Sequence, residues 1–419
     1  MEARGERFLI KGGRSLQGSV RVSGAKNSAL KLMAAALLTG DECRIANVPD
    51  IGDVQVMAEV LRHLGAQVDH RGGEMTLRCR ELATHQTPYS LVRKMRASII
   101  VLGPLLARYG KAEVALPGGC NIGYRGIDLH LRGLTEMGAE LELSHGFIYA
   151  RAKRLRGDRI ILGFPSVGAT ENILMAAVGA EGVTCIENAA QEPEIQDLAH
   201  FLQGMGAQIE GAGTPIIEVE GGHGLHGVSH RVIGDRIEAG TFAVAACAAG
   251  GEVEIKGVNP LHLQVFLRSL REMGAEVEED EDGMLVRSGH PYRPCEVATL
   301  PYPGFPTDLQ PPMMVLMSLA EGTSILTENV FESRFVFVEE LRRMGCNIRI
   351  EGHHAVIRGV GGLSGAEVYA SDLRAGAALV IAGLAAEGET VVGDIHHIDR
   401  GYEGLDEKLS ALGADITRE

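Results

Sequence analysis

The chain has 419 residues, of which 45% are hydrophobic and 4% aromatic, and its formal net charge is −15. Nucleic-acid binding favours a basic face and stacking rings, so this composition argues against a nucleic-acid partner. The segment 1–7 is charged, and stretches such as 375–386 are shorter than the roughly 20 apolar residues of a membrane span, so we expect neither a secretory signal nor a membrane partner.

The seven cysteines are dispersed along the chain and contain no CxxC pair. An odd, scattered set of this kind is typical of reduced thiols in a cytosolic protein. We therefore expect a globular, cytoplasmic protein that is long enough for two or three domains.

One phrase recurs six times along the chain, namely Leu-x-x-Leu/Met-Gly-Ala/Cys followed, one residue on, by an aliphatic residue. The copies begin at Leu61, Leu134, Leu202, Leu270, Leu341 and Leu409, at intervals of 73, 68, 68, 71 and 68 residues. This period is too long for a two-helix solenoid repeat and suits a small α/β unit of two helices and a few strands. We expect a helix to end at each glycine, because glycine readily adopts a left-handed conformation.

Each unit also contains an alanine-rich, apolar helix that follows a polar cluster. These helices are predicted at 29–38, 99–106, 173–178, 241–249, 313–320 and 377–386. Because they are apolar on most faces, we expect them to be buried. Their N-termini would present unpaired backbone N–H groups and a positive dipole end, so six such helices indicate an anionic ligand.

Basic residues lie at the start of two of these helices. Lys26 lies in a Ser-Gly-Ala-Lys-Asn turn, and Arg93, Lys94 and Arg96 precede the second helix. A positive charge at a helix start opposes the dipole, and a bound anion would compensate for that cost. Lys26 is therefore a candidate functional residue, whereas an ordinary solvated lysine is the alternative for Lys94.

The loop 116–125 contains Cys120 among a proline and three glycines, with Arg125 nearby. Cysteine is most often buried as a small hydrophobic residue. A thiol in a loop beside an arginine can instead gain thiolate character and act as a nucleophile or acid. From the loop alone, both interpretations of Cys120 stay open.

The segment 302–310 places Asp308 in the first turn of a buried helix. An aspartate there is a candidate functional carboxylate, but it also stabilises a helix start by itself. Asp235 and Asp372 have comparable positions, so the pattern does not decide between the two interpretations.

Histidines occur in adjacent pairs at 353/354 and 396/397. Neighbours on a strand face opposite sides, so each pair would make poor shared metal ligands. The sequence also contains no Walker A loop, no GxSxG elbow, and no GxGxxG at a strand–helix junction. We therefore expect no metal and no cofactor.

Together these segments resemble the enolpyruvyl transferases over essentially the full length and in the family's order. The motifs are Ser-Gly-Ala-Lys-Asn at 23–27, Pro-Gly-Gly-Cys-Asn-Ile-Gly-Tyr-Arg at 117–125, Pro-Ser-Val-Gly-Ala-Thr-Glu-Asn at 165–172, Tyr-Pro-Gly-Phe-Pro-Thr-Asp at 302–308, Ser-Asp-Leu-Arg-Ala-Gly at 371–376 and His-Ile-Asp-Arg-Gly-Tyr-Glu at 397–403. The resemblance implies an α/β protein with the inside-out α/β barrel of that family. It implies six βαβαββ repeats, three in a domain of residues 26–232 and three in a domain of residues 1–25 and 233–419, with the active site in the cleft between them.

The resemblance also implies a reaction, in which the enolpyruvyl group of phosphoenolpyruvate is transferred to the 3′-hydroxyl of UDP-N-acetylglucosamine. The implied catalytic residues are Cys120, Asp308, Lys26 and Arg400. Phosphoenolpyruvate would be held by Lys26, Asn27, Arg96, Arg125, Arg334, Arg374 and Arg400. The nucleotide sugar would contact Asn27, Arg96, Arg125, Asp128, Leu129, Ser166, Val167, Gly168, Asp308 and Val330. Cys120 would protonate phosphoenolpyruvate, carry a covalent adduct of it, and be the target of a fosfomycin-type epoxide, while Asp308 would take the proton of the sugar hydroxyl.

Two positions depart from the family pattern. Gly126 stands where proline usually follows the loop arginine, and Ser333 stands where asparagine or histidine is more usual. Neither is a residue with an implied chemical role. The alternatives that the sequence leaves open are the same chemistry on another acceptor, shikimate 3-phosphate, and a weakly active paralogue that binds the nucleotide sugar. The sequence does not predict the oligomeric state.

Overall fold

The computed structural model describes residues 5–93, 95–116 and 126–419. The described residues form two compact units. Unit 1 comprises residues 5–23 and Gly234–Glu419, and unit 2 comprises the described residues between 24 and 233. Each unit has a hydrophobic core of its own.

The described residues contain thirteen α-helices. In chain order they are α1 Lys26–Ala35, α2 Gly52–Leu64, α3 Tyr89–Val92, α4 Leu102–Tyr109, α5 Asp128–Glu136, α6 Val167–Ala177, α7 Pro193–Gly204, α8 Arg236–Ala248, α9 Gln264–Met273, α10 Gln310–Ser318, α11 Val338–Arg343, α12 Leu373–Ala385 and α13 Leu405–Ala411. Short 3₁₀ helices cover Ala36–Leu38, Arg96–Val101, Pro260–Leu263, Thr307–Leu309 and Ile395–His397. No helix in these ranges is both long and apolar enough to cross a membrane.

The same ranges contain twenty-five short strands. They are β1 Phe8–Lys11, β2 Gln17–Arg21, β3 Cys43–Ala46, β4 Gln67–Arg71, β5 Glu74–Arg78, β6 Lys111–Ala115, β7 Glu140–Ser144, β8 Phe147–Arg151, β9 Arg159–Ile161, β10 Val183–Glu187, β11 Gln208–Glu210, β12 Ile216–Glu220, β13 Ser229–Arg231, β14 Glu252–Lys256, β15 Glu276–Glu279, β16 Gly283–Arg287, β17 Glu296–Ala298, β18 Thr323–Thr327, β19 Asn347–Glu351, β20 His354–Arg358, β21 Leu363–Ser364, β22 Glu367–Tyr369, β23 Ala386–Glu387, β24 Glu389–Gly393 and β25 Asp415–Arg418.

The repeated unit is visible in the sheet formed by β9 to β12. Strands β9 and β10 are parallel and are joined by the buried helix α6, with Cys185 opposite Arg159. Helix α7 then leads to the antiparallel pair β11 and β12, and β12 returns beside β10, so the spatial order is β11-β12-β10-β9. This is a βαβαββ unit, and β17 to β20 with α10 and α11 have the same order.

Two of the four-stranded sheets take their first strand from a distant part of the chain. In unit 1, β2 pairs in parallel with β14, with Gln17 opposite Glu252. In unit 2, β13 pairs in parallel with β3, with Ser229 opposite Arg44. Both strands immediately precede the places where the chain passes from one unit to the other, at 23/24 and 233/234.

The six recurring phrases are helix C-caps, as the sequence predicts. All six glycines have a positive φ, between 90° and 116°. In every copy, the N–H of the residue after the glycine donates to the carbonyl of the leading leucine, and the glycine N–H donates to the residue that follows this leucine. This pair of bonds is the Schellman motif, and it explains why the spacing within the phrase does not vary. The leading leucines are buried, so each cap is also fixed to the core.

The alanine-rich helices form the centre of each unit. In unit 1, helices α8, α10 and α12 pack against one another, and nearly every residue in them is buried. In unit 2, α6 packs against α4 and α5, while α1 packs against α2 and α7. The prediction that these helices are buried is confirmed.

Two of the predicted helices begin differently from the expectation. The second starts as the 3₁₀ helix Arg96–Val101, and α4 follows at Leu102. Thr307–Leu309 is likewise a 3₁₀ turn before α10. Proline provides the reason, because it has no N–H to donate four residues back and fits only the first turn of an α-helix. Pro104, Pro311 and Pro312 occupy those first turns.

Candidate active site

Asp308 lies between two buried arginines of unit 1. Its Oδ1 accepts a hydrogen bond of 2.7 Å from Arg334 Nη2, and its Oδ2 accepts one of 3.3 Å from Arg374 Nε. The two arginine side chains are 3% and 2% exposed, whereas that of Asp308 is 24% exposed. Hydrogen bonds between ionised partners are among the stronger ones, so this pairing holds the carboxylate in a defined position while one side stays accessible.

Arg374 is positioned by the start of α12. Asp372 caps this helix, and its Oδ1 accepts hydrogen bonds from the backbone N–H groups of Arg374 at 2.9 Å and Ala375 at 3.1 Å. The guanidinium carbon lies 5.1 Å from the centre of the Tyr402 ring. Burial alone would lower the pKa of Arg374, but the nearby Tyr402 and Asp308 outweigh it and raise that pKa, so the guanidinium stays charged.

Arg334 and Arg374 each retain a buried N–H group that has no hydrogen-bond partner in the described part of the chain. These groups are Nε of Arg334 and Nη1 of Arg374. Buried polar groups are normally paired, and guanidinium groups suit carboxylates and phosphates. The pair can therefore accept an anion in addition to Asp308.

Arg400 lies in the turn after Ile395–His397 and is half-buried. Burial together with the charges of His396 and Arg400 lowers the pKa of His397, so Arg400 is close to that imidazole. The prediction that His396 and His397 lie on a strand and face opposite sides is wrong. Both residues belong to a 3₁₀ turn, and their ring centres are 4.1 Å apart. Even so, no group of three histidine, cysteine or acidic side chains in the described ranges could hold a metal ion.

Lys26 is the first residue of α1 in unit 2. Its Nζ lies 2.8 Å from Oδ2 of Asp53, and the two side chains are 13% and 4% exposed. Asp53 lies in the first turn of α2. Asp53 was not predicted as a site residue from the sequence, because acidic residues are common in the first turn of any helix.

Lys31, one turn further along α1, forms a second buried ion pair. Its Nζ donates to the carbonyl oxygen of Asn27 at 2.7 Å and lies 3.2 Å from Oε1 of Glu171 on α6. Burial raises the pKa of Glu171 to about 7, although the charge of Lys31 opposes that shift. Asn27 is thus connected through Lys31 to a titratable carboxyl group in the core.

The structure brings together two segments that were predicted to contact a nucleotide sugar. Ser166 caps α6, with its Oγ accepting from the N–H of Ala169 at 3.4 Å, and Val167 and Gly168 begin the helix. A Cβ atom on Gly168 would lie 3.1 Å from Cε1 of His130 on α5. The start of α6 and the helix that begins with Asp128 and Leu129 are therefore in contact.

Three of the predicted site residues contribute no side-chain geometry. Cys120 and Arg125 lie outside the described residues. For Arg96, the structure describes the backbone, which begins the 3₁₀ helix Arg96–Val101.

Val330 is half-buried, and its N–H donates to Oε1 of Glu328 at 2.8 Å. Glu328 was not predicted from the sequence, and no motif marks it.

Comparison with known proteins identifies the class to which this fold and these residues belong. A family model for EPSP synthase (3-phosphoshikimate 1-carboxyvinyltransferase) matches residues 10–409, and the chain belongs to this family of enolpyruvyl transferases. The resemblance and the fold class expected from the sequence are thereby confirmed.

Individual relatives narrow the comparison to particular enzymes of this family. The chain is 57% identical over 415 residues to UDP-N-acetylglucosamine 1-carboxyvinyltransferase 2 of Carboxydothermus hydrogenoformans, with 99% of each chain covered. It is 53% identical over 413 residues to UDP-N-acetylglucosamine 1-carboxyvinyltransferase of Mycobacterium tuberculosis, again with 99% of each covered. Among solved structures, the enolpyruvyl transferase NikO from Streptomyces tendae is similar, with a TM-score of 0.89, 28% sequence identity and 99% of each chain covered.

Proposed function

We infer that this protein transfers the enolpyruvyl group of phosphoenolpyruvate to the 3′-hydroxyl of UDP-N-acetylglucosamine and releases phosphate, the first committed step of peptidoglycan synthesis. The observation that carries this conclusion is the identity of 57% and 53%, over 99% of the chain, to relatives named for carboxyvinyl transfer to that nucleotide sugar. The described geometry agrees, because buried arginines surround a partly exposed carboxylate.

The substrates explain why an acidic protein concentrates buried positive charge. Phosphoenolpyruvate carries a phosphate and a carboxylate, and the nucleotide sugar carries a diphosphate. We propose that Lys26, Arg334, Arg374 and Arg400 hold the phosphate and carboxylate groups, together with Arg96 and Arg125. The unpaired N–H groups of Arg334 and Arg374 support this role, since each charge-assisted hydrogen bond contributes about 1.5–3 kcal/mol.

The reaction needs one proton delivered to carbon and one removed from oxygen. In the addition step, the sugar oxygen bonds to C2 of phosphoenolpyruvate and loses its proton, while C3 gains a proton. In the elimination step, C3 loses a proton and the bond from C2 to the phosphate oxygen breaks. We propose that Asp308 accepts the proton of the sugar hydroxyl and that Cys120 delivers the proton to C3. Asp308 suits this role because two arginines fix the position of its carboxylate while 24% of the side chain stays exposed.

We propose that the nucleotide sugar lies against the start of α6. Val167 and Gly168 contribute their backbone N–H groups to the N-terminus of this helix, which favours anions such as a diphosphate, and Ser166 precedes them as the cap. Asp128 and Leu129 begin the neighbouring helix α5. Val330 and Asn27 complete the proposed set. We further propose a cytoplasmic location, and the six described cysteines are free thiols, as in a reducing compartment.

The site assignment is tested by mass spectrometry of the intact protein and its peptides after incubation with phosphoenolpyruvate. We expect a mass increase of one phosphoenolpyruvate on the peptide that contains Cys120. A Cys120→Ser variant should not acquire this mass, because serine lacks the nucleophilic thiol.

The matched control is Cys185→Ser, because the pKa of the half-buried Cys185 is raised by burial and by Glu187, which lowers the fraction of reactive thiolate. This variant should form the adduct as the wild type does. An adduct on any cysteine other than Cys120 would contradict the assignment.

A further inference from the structure

Glu328 is a buried carboxylate immediately after β18, with 2% of its surface exposed. Its Oε1 accepts three hydrogen bonds, from Oγ1 of Thr299 at 2.8 Å and from the backbone N–H groups of Val330 at 2.8 Å and Phe331 at 2.9 Å. Its Oε2 accepts one from Oγ1 of Thr307 at 2.9 Å. Four donors converge on one side chain, so Glu328 connects β17, the turn before α10 and the loop after β18.

The bond to Thr307 determines the direction of the neighbouring hydrogen bonds. A hydroxyl has a single proton to donate, and a carboxylate can only accept. Because Thr307 donates its proton to Glu328, its oxygen is free to accept, and Arg334 Nη1 donates to it at 2.9 Å. The other terminal nitrogen of Arg334, Nη2, donates to Asp308 at 2.7 Å. The guanidinium is therefore held at both ends.

We propose that Glu328 is a positioning residue that aligns Arg334 with Asp308 through Thr307. This inference rests on the proposed function, in which Arg334 binds phosphoenolpyruvate and Asp308 accepts a proton. The link from Glu328 to Arg334 passes through the hydroxyl of Thr307, which donates to Glu328 and accepts from Arg334.

The same carboxylate also shapes the loop that contains Val330. The two backbone bonds to Oε1 close a turn over residues 328–331, and Asn329 N–H donates to Oγ1 of Thr299 at 2.9 Å. A substitution that disturbs only Oε2 therefore separates the role in aligning Arg334 from the role in shaping the loop.

Glu328→Gln makes this separation with little change of shape. Three donors surround the Oε1 position, so the amide oxygen should take that position and its NH₂ should face Thr307. The Thr307 oxygen would then accept from the glutamine NH₂ as well as from Arg334, and its own proton would lose the carboxylate as acceptor. The hydroxyl would therefore reorient, and its bond from Arg334 would be weakened. Thr307→Val removes the same link from the other side, and Thr307→Ser keeps the hydroxyl.

The test is steady-state kinetics of phosphate release with both substrates varied, together with the thermal unfolding temperature. For Glu328→Gln and Thr307→Val we expect kcat/KM for phosphoenolpyruvate to fall by about 10- to 100-fold, with KM for UDP-N-acetylglucosamine changed less. Thr307→Ser should restore most of the activity. The double variant Glu328→Gln with Thr307→Val should be no worse than either single variant, because both changes break one link.

Thr390→Val is the matched control. Thr390 is fully buried in unit 1, and its hydroxyl has no hydrogen-bond partner among the described residues, so the change should leave the kinetic constants unaltered.

If Glu328→Gln and Thr307→Val lower the unfolding temperature but have the kinetic constants of Thr390→Val, Glu328 has only a structural role and the inference fails. If Glu328→Gln does not fold, Thr307→Val and Thr307→Ser decide the question. An inactive wild type would overturn the proposed function and this inference together, whereas unaffected variants of an active wild type overturn the inference alone.

Discussion

Two carboxylates of similar chemistry have opposite environments in this protein. Asp308 is partly exposed and paired with two buried arginines. Glu171 is fully buried beside one lysine, and burial raises its pKa to about 7. The two arginines hold the Asp308 carboxylate in the position that its proposed role requires, whereas the environment of Glu171 couples the stability of unit 2 to pH.

Glu171→Gln should remove this pH dependence. In the unfolded chain the carboxyl titrates near 4.5, and in the folded protein near 7, so between these values the folded state binds the extra proton. The free energy of unfolding of the wild type therefore falls as the pH rises from about 4.5 to about 7, by at most about 3 kcal/mol at about 1.36 kcal/mol per pH unit. Glutamine does not titrate, so the variant should gain stability relative to the wild type across this interval.

Urea denaturation of both proteins at pH 5 and pH 8 measures the change. Glu238, whose pKa is raised to about 7 mainly by burial, is present in both proteins and cancels in the difference. Glu281→Gln is the control, since it makes the same substitution at an exposed position. A difference between wild type and Glu171→Gln that does not depend on pH would contradict the prediction.

The sequence revealed residues inside motifs and missed their partners. The grouping of Asp308, Arg334 and Arg374 could be predicted, because family motifs or charges near helix starts mark them, and the structure places the three side chains together. Asp53 and Glu328 could not, since their importance depends on which side chain packs beside them. The ion pair of Lys26 with Asp53, for example, needs α1 and α2 to pack against each other.

At the scale of the elements, the constant spacing within the six recurring phrases follows from the hydrogen bonds at the helix ends. The leading leucine supplies both a buried side chain and the carbonyl that the residue after the glycine bonds. Glycine is favoured at each position because φ is positive there. These features are local in sequence, which is why the sequence alone predicts them.

Gly138→Ala isolates the cost of that backbone conformation. Gly138 has a φ of 90°, and a Cβ atom there would meet no atom within 4 Å, so the substitution adds strain without a clash. We expect the free energy of unfolding to fall by about 1–2 kcal/mol, measured by urea denaturation.

Gly163→Ala is the matched control for this prediction. Gly163 has equal space around it and no positive φ, so alanine should leave stability unchanged or raise it by about 0.4–1 kcal/mol. Equal effects of the two substitutions would contradict the explanation of the repeated phrase.

At the scale of the whole molecule, the pairing of distant strands was beyond the reach of the sequence. The repeat predicts six units, but it does not say that β2 completes the sheet of β14 or that β13 completes the sheet of β3. Each pairing joins strands that are far apart in sequence, so it depends on the tertiary fold of the unit. The periods, the helix ends and the buried helices are properties of local sequence, and they agree with the structure.

The copies of the unit differ in the side chains at the starts of their apolar helices. Helices α1, α6, α10 and α12 are similar apolar elements, yet their first turns or the turns just before them carry Lys26, Ser166, Asp308 and Arg374 respectively. The repeated architecture supplies equivalent positions, and the substitutions at those positions supply distinct chemical groups. The central question is then which molecule accepts the enolpyruvyl group.

The most direct test is therefore phosphate release from phosphoenolpyruvate by the wild-type protein with UDP-N-acetylglucosamine or shikimate 3-phosphate as the acceptor, and with each substrate omitted in turn. We predict phosphate release that requires both phosphoenolpyruvate and UDP-N-acetylglucosamine, with formation of the enolpyruvyl ether of the nucleotide sugar. Release with shikimate 3-phosphate but not with the nucleotide sugar would contradict the account.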